Sequence, residues 1–257
     1  LGVRETTLDS VLGGRAAVCQ HRDGYRFGLD SVLLGVGAAH LARRRVLDAC
    51  CGSGVVGLTV LAARGLVPTP ADGAALEVVG VELQEGLAAL AAQNAQRNGV
   101  EGAYRVLRMD VRALRAEEHG RFDLILLNPP YFRPGESVPN PDPERAQARH
   151  ELAGDLEALL DGCRRVLAPN GRLRLVYPAG KLPRVMEAVR GCKLKVGRLR
   201  LLHSRAQEPA YGCLVDVRQQ GEGFEVAPPL FLYEGEGSRG YAPAVEAALR
   251  GEVIPAW

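Results

Sequence analysis

The chain has 257 residues, 47% hydrophobic and 24% charged, with a formal net charge of +2. This is the balance of an ordinary globular protein with enough apolar material for one sizeable α/β domain, and no run of about 18 uncharged apolar residues argues for a membrane span. The start, LGVRETTLDSVLGG, lacks the basic stretch and apolar core of a secretory signal. The six cysteines, Cys19, Cys50, Cys51, Cys163, Cys192 and Cys213, form no CxxC pair. They suit neither a zinc site nor a disulfide framework and read as small buried residues of a reducing, cytoplasmic compartment. The near-neutral charge neither requires nor forbids a nucleic-acid partner. Three local basic runs could meet phosphates or simply face solvent: Arg43 to Arg45, Arg164 with Arg165, and Lys193, Lys195, Arg198 and Arg200.

In chain order, RFGLDSVLLG reads as a helix start, with Asp30 or Ser31 as its cap. A strand follows over 44–50 and ends at a glycine-rich turn, and VVGLTVLAARG is a helix. Residues 76–83 form the next strand. EGLAALAAQNAQRNG is a helix stopped by Gly99, and AYRVLRMD is a third strand. FDLILLNPP (122–130) is apolar enough to be buried on both faces. LAGDLEALLDGCRRVLAPNG reads as a helix ended by Pro169 and Gly171, GRLRLVYP as a fifth strand and KLPRVMEAVRGC as a helix. Then the alternation stops. LKVGRLRLLHS and YGCLVDVRQQ are consecutive strands with no helix between them. FEVAPPLFLYE is a further candidate strand, and YAPAVEAALRG a short helix. The pattern predicts an α/β, doubly wound, Rossmann-like sheet, mostly parallel with an antiparallel C-terminal edge. It is organised as one domain over 1–257: an extension (1–40), a catalytic core (41–220) and a tail (221–257). The polar, proline-rich stretch within 132–150 is long for a loop in such a domain, which points to function.

Gly52, Gly54 and Gly57 form GxGxxG between a strand and a helix, where the backbone can turn tightly against a ligand. Glu82 ends the second strand, placed to accept both hydroxyls of a ribose. Asp110 ends the third, placed to face an adenine edge. Each has a plainer reading, as a strand-end surface charge for Glu82 and a helix N-cap for Asp110. The glycines alone would also serve a nicotinamide enzyme. Asp48, just before them, favours a methyltransferase, although it could be only a turn cap. Asn128-Pro129-Pro130-Tyr131 is the most specific feature of the chain. It falls at the carboxyl end of a strand, where such folds bind ligands. An exocyclic or side-chain amine whose lone pair is delocalised is a poor nucleophile. The Asn128 side-chain oxygen and the Pro129 carbonyl can accept its two N–H groups, the Pro-Pro pair holds those acceptors rigid, and Tyr131 can stack on the planar group. The expected chemistry is methyl transfer from S-adenosylmethionine to such a nitrogen, with S-adenosylhomocysteine as product and no metal.

Together Asp48, the CGSG loop, Glu82, Asp110 and NPPY resemble the Rossmann-like amino-methyltransferases. CQHRDGYRFGLDSVLLG (19–35), ERAQARHE (144–151) and YEGEGSRGYAPAVEAAL narrow this, being similar to the bacterial family that methylates adenine N6 next to the anticodon of a valine tRNA. The resemblance covers nearly the whole chain. It implies that Phe27, Gly28 and Asp30 help to cover the methionine end of the cofactor. It also implies that Cys50, Leu83 and Val111 line the cofactor site alongside Asp48, Gly52, Gly54, Glu82, Asp110 and Asn128, and that Arg145, Arg149 and His150 lie near the RNA. The implied protein is a monomer or weak dimer acting on tRNA. The PGESVPNPDP segment departs from the family and leaves the RNA itself open. Rival readings are a glutamine-N5 methyltransferase of release factors, an rRNA guanine-N2 methyltransferase, an oxidoreductase, or a non-catalytic RNA-binding protein with the same fold. The release-factor enzymes carry a helical substrate domain before the glycine loop, and here that loop begins near residue 50.

Overall fold

A computed structural model describes residues 5–23, 26–65, 75–129, 156–235, 237 and 240–252. Two strands, β1 (Thr6–Val11) and β2 (Ala16–His21), form an antiparallel hairpin before helix α1 (Leu29–Ala39). The alternating core follows: β3 (Arg45–Ala49), α2 (Val55–Ala63), β4 (Glu77–Glu82), α3 (Glu85–Arg97), β5 (Tyr104–Arg108), the short α4 (Ala116–His119) and β6 (Phe122–Leu127). After the undescribed stretch come α5 (Leu156–Val166), β7 (Leu167–Pro178), α6 (Leu182–Gly191), β8 (Lys195–His203) and β9 (Ala210–Arg218). Two short strands, β10 (Glu225–Val226) and β11 (Leu230–Phe231), and α7 (Pro243–Leu249) complete it.

The main sheet runs β10-β8-β9-β7-β6-β3-β4-β5, with β11 also on β8. β7, β6, β3, β4 and β5 are parallel neighbours, and β9 is antiparallel to both β7 and β8. The expected mostly parallel sheet with an antiparallel C-terminal edge is therefore present. Central strands such as β6, buried over Leu124–Leu127, read as unbroken apolar runs because helices cover both faces. One face packs α1, α2, α7 and the hairpin; the other packs α5 and α6. α1 and α2 cross closely at Gly35, where a Cβ would sit 2.7 Å from that of Thr59.

Three expectations change. The N-terminal extension contains a hairpin that hydrophobic alternation did not reveal. The free edge of β2 is met by side chains: Asn94 Oδ1 accepts from the Cys19 amide and Asn98 Oδ1 from the Ala17 amide, both at 2.8 Å, while their amide nitrogens donate back to Cys19 and Ala17 carbonyls. Two asparagines one turn apart thus imitate a neighbouring strand. Next, α5 ends at Val166 rather than at Pro169, because Leu167 already pairs with Phe122. The register then slips before Arg172 meets Leu124. Finally, α1 is capped by neither Asp30 nor Ser31. Its N-cap is Gly28, without a side-chain cap bond. Of the cysteines, Cys51, Cys163, Cys192 and Cys213 are buried, Cys19 and Cys50 are half-buried, and all six are free thiols. Among the described residues no helix is long and apolar enough to cross a membrane and no cluster could hold a metal ion.

Candidate active site

The strand order reverses between β3 and β6, since β4 and β5 build outward on one side and β6 and β7 on the other. Ligands of such sheets bind in the crevice beyond the carboxyl ends at this point. The register puts the relevant residues level with one another. Ala49 pairs with both Val81 and Leu127. Cys50, Glu82 and Asn128 therefore leave three neighbouring strands side by side.

The floor of the crevice is the glycine loop. Cys50, Gly52 and Gly54 all have positive φ, at +58°, +56° and +84°. No heavy atom lies within 4 Å of where a Cβ on Gly52 would stand. The loop is fixed from below by Asp48, 1% exposed, whose Oδ2 accepts from the Gly57 amide at 2.8 Å and from the Tyr104 hydroxyl at 2.9 Å. Burial pushes the Asp48 carboxyl up to about 7. The Tyr104 ring fills the space left by three glycines: a Cβ on Gly57 would lie 2.7 Å from it, on Gly80 2.9 Å and on Gly54 3.2 Å. The Asp48 carboxylate thus acts on the loop. Sequence reasoning took Tyr104 only as part of a strand; the signal was the glycine in the middle of an otherwise β-branched strand, Gly80.

Glu82 forms one wall. Its Oε2 accepts from the Gly52 amide at 3.0 Å and its Oε1 from the Gln84 amide at 2.9 Å. Burial raises its carboxyl above the usual value, against the Gln84, Gly52 and Leu83 amides, which favour the charged form. Leu83 beside it is 37% exposed. Asp110 caps the turn Val111–Ala113 through the Arg112 amide at 2.8 Å and pairs with the Arg112 guanidinium at 2.7 Å. Burial works against its ionisation, but the Arg112 contacts outweigh it and hold the carboxyl below its usual range. Val111 is buried beneath. An open loop, an apolar side chain and two strand-end carboxylates suit a nucleoside: acceptors for ribose hydroxyls and a flat contact for a base.

On the other wall, Asn128 Nδ2 donates to Ser31 Oγ at 2.8 Å. Ser31, in the first turn of α1, is 1% exposed. This bond fixes which end of the Asn128 amide faces α1. Pro129 is buried. Phe27 packs against the core, its amide donating to Gln20 Oε1 at 3.1 Å, and Gly28 is exposed. Burial raises the carboxyl of half-buried Asp30. Pro130, Tyr131, Arg145, Arg149 and His150 lie outside the described residues. Two of the basic runs are engaged within the chain. Arg45 pairs with Glu77 at 2.7 Å and lies over the Phe122 ring, and the Arg43, Arg44 and Arg45 amides all donate to Asp123. Arg164 and Arg165 both pair with Asp161. In the third, Arg198 pairs with Glu225 at 3.2 Å.

Residues 41–208 match a family described as a methyltransferase domain. A tRNA1(Val) (adenine(37)-N6)-methyltransferase of Dickeya chrysanthemi is 36% identical over 63% of this chain and 60% of its own length. One of the same name from Musicola paradisiaca is 33% identical over 70% of each. The match to the first of these spans less than two thirds of that relative. A solved structure of a predicted O-methyltransferase from Agrobacterium tumefaciens has the same fold, with a TM-score of 0.67 at 20% identity, covering 88% of this chain and 97% of that one.

Proposed function

The chain belongs to the methyltransferase-domain family, and we propose that it methylates the exocyclic N6 amine of an adenine in tRNA, using S-adenosylmethionine. The observation that carries this reading is Asn128, which leaves the strand next to the glycine loop with its amide nitrogen held by Ser31. The names of the relatives, tRNA1(Val) (adenine(37)-N6)-methyltransferases, support adenine as the acceptor base and a valine tRNA as its source.

The Gly52–Gly54 loop, Cys50, Glu82, Leu83, Asp110 and Val111 would hold the cofactor, with Phe27, Gly28 and Asp30 closing the methionine end. When bound, S-adenosylmethionine supplies a methyl group already activated by its sulfonium. The chain therefore needs no covalent nucleophile. Its work is to orient an amine whose lone pair is withdrawn into the ring. Asn128 Oδ1 and the Pro129 carbonyl accept the two N–H groups, which fixes the nitrogen's direction and favours its rehybridisation. Orientation of this kind is worth up to roughly 7–11 kcal/mol in the best cases. Ser31 serves as a positioning residue, because a rotated amide would present N–H donors to an amine that is itself a donor. Tyr131 stacks on the base, Arg145, Arg149 and His150 contact the RNA, and the proton leaves to solvent. The target adenine must be unstacked to enter.

The test is transfer of labelled methyl from S-adenosylmethionine to bulk tRNA, to rRNA and to purified release factor, followed by nucleoside and peptide analysis. Label in N6-methyladenosine of tRNA is the expected result. Label in release factor alone would overturn the RNA reading while keeping the Asn128 chemistry.

A further inference from the structure

β8 is antiparallel to β9, which is antiparallel to β7. The carboxyl end of β8 therefore opens on the same edge of the sheet as that of β6, three strands away. At about 4.8 Å per strand this is roughly 14 Å. The tail is tied to that end of β8 by its backbone. The Leu232 amide donates to the His203 carbonyl at 2.9 Å, the Tyr233 amide to Ser204 at 3.0 Å and the Ala242 amide to Leu232 at 2.7 Å. These bonds bring Tyr233 and Tyr241 face to face, with centroids 5.3 Å apart and rings 15° from parallel. The Arg205 guanidinium lies over the Tyr233 ring, 5.0 Å from its centre. Arg205 and Tyr241 thus both meet the Tyr233 ring, and Tyr241 remains 37% exposed.

Tyr233 shares its core cluster with α1, which borders the crevice. Ser31 touches Asn128. Its neighbour Asp30 lies close to Tyr211, whose phenol is pushed far above its usual range by burial and then by the Asp30 charge. Tyr211 and Tyr233 pack against the same core cluster, and α7, which begins two residues after Tyr241, packs against α1.

We propose that the exposed face of Tyr241 is a docking platform for a base of single-stranded RNA, flanking the adenine that enters at Asn128. This rests on the reading of the substrate as RNA and adds where a neighbouring nucleotide binds. The chemistry favours a base over a phosphate. Arg205 is matched by Glu208 at 3.8 Å, so the patch offers a flat π surface rather than surplus positive charge. Every base has a π face, so the contact tolerates sequence. The tail pairs with the outer edge of β8, four strand spacings or roughly 19 Å from β6, which is some five to six stacked nucleotides at roughly 3.4 Å each, and fewer once they are splayed.

The experiment compares the full chain with Tyr241→Leu and Tyr241→Phe. Affinity for a fluorescent RNA hairpin with an adenine-containing loop is measured beside a blunt duplex of the same length, and KM and kcat are measured on tRNA. Leu preserves apolar packing on Tyr233 but lacks a π face. It should weaken loop binding and raise KM about tenfold, leaving duplex binding and saturated kcat unchanged, while Phe behaves as the parent. Parent-like loop affinity and KM in Tyr241→Leu, with tRNA still methylated by the parent, would overturn the platform and leave the function standing. Equal losses in Leu and Phe would also overturn it, because the hydroxyl would then be what matters. If the parent neither binds nor methylates tRNA, the underlying reading fails and the platform with it.

Discussion

Asp48 and Tyr104, beneath the glycine loop, are 1% and 2% exposed, and three glycines close on one ring. Tyr241, in the tail beyond the carboxyl end of β8, is 37% exposed and is held by a tail with few backbone bonds to β8. The cofactor side is thus built by close packing, in which each atom is over-determined by its neighbours. The acceptor side is built from single side chains projecting from strand ends and the tail. A small ligand of fixed shape suits the first arrangement. A large substrate that must offer one base out of a folded chain suits the second.

The sharpest way to break this contrast is at Asn128, the acceptor-side residue nearest the floor. Asn128→Ala should lower kcat by about 100- to 1000-fold, as losing one preorganised hydrogen-bonding group does in other sites. Cofactor affinity, measured by calorimetry, should stay within a few-fold. Ser31→Ala removes only the bond that orients the amide. It should cost about tenfold in kcat with little change in KM for tRNA. A Ser31→Ala variant as impaired as Asn128→Ala, or a cofactor affinity lost with Asn128, would show that the two sides are one unit.

The floor itself is tested by pH. Asp48 ionises near 7 when folded against 3.8 when free, with burial as the main cause. Between about pH 4 and 7 the folded chain therefore keeps a proton that the unfolded chain has lost. The stability tied to this group is present below pH 4, declines as pH rises through 7 and is flat above. Asp48→Asn keeps an oxygen to accept from Gly57 and Tyr104 but cannot ionise. Urea midpoints at pH 5 and pH 8 should show the parent losing ground to the variant at the higher pH. Parallel behaviour would mean that Asp48 is already charged in the fold.

The two sides also differed in how readable they were. Asp48, the glycines, Glu82, Asp110 and the Asn-Pro-Pro run are local strings at strand ends, and strand ends follow from alternation of apolar segments. What could not be read were contacts between distant segments. Ser31 meets Asn128 across 97 positions, and Asn94 meets Cys19 across 75. The hairpin over Thr6–His21 escaped because what holds its free edge is a pair of asparagine side chains on α3. The early end of α5 escaped because pairing of Leu167 with Phe122 overrides the helix that local propensity would continue toward Pro169.

The smallest expected effect concerns Cys50, which adopts φ +58° where the loop turns upward. A left-handed conformation costs a residue with a Cβ roughly 1–2 kcal/mol. Glycine avoids that cost but loses more conformational entropy on folding, roughly 0.5–1 kcal/mol. The thiol is half-buried and packs against the core beneath α5 and α6, so removing it forfeits some contact as well. The terms nearly cancel, and Cys50→Gly should gain at most about 1 kcal/mol in urea unfolding. A measured loss would show that the thiol's packing outweighs the strain. The turn would then be held by its neighbours, as close packing of the floor implies, and the residue chosen at the turn would matter less than what surrounds it.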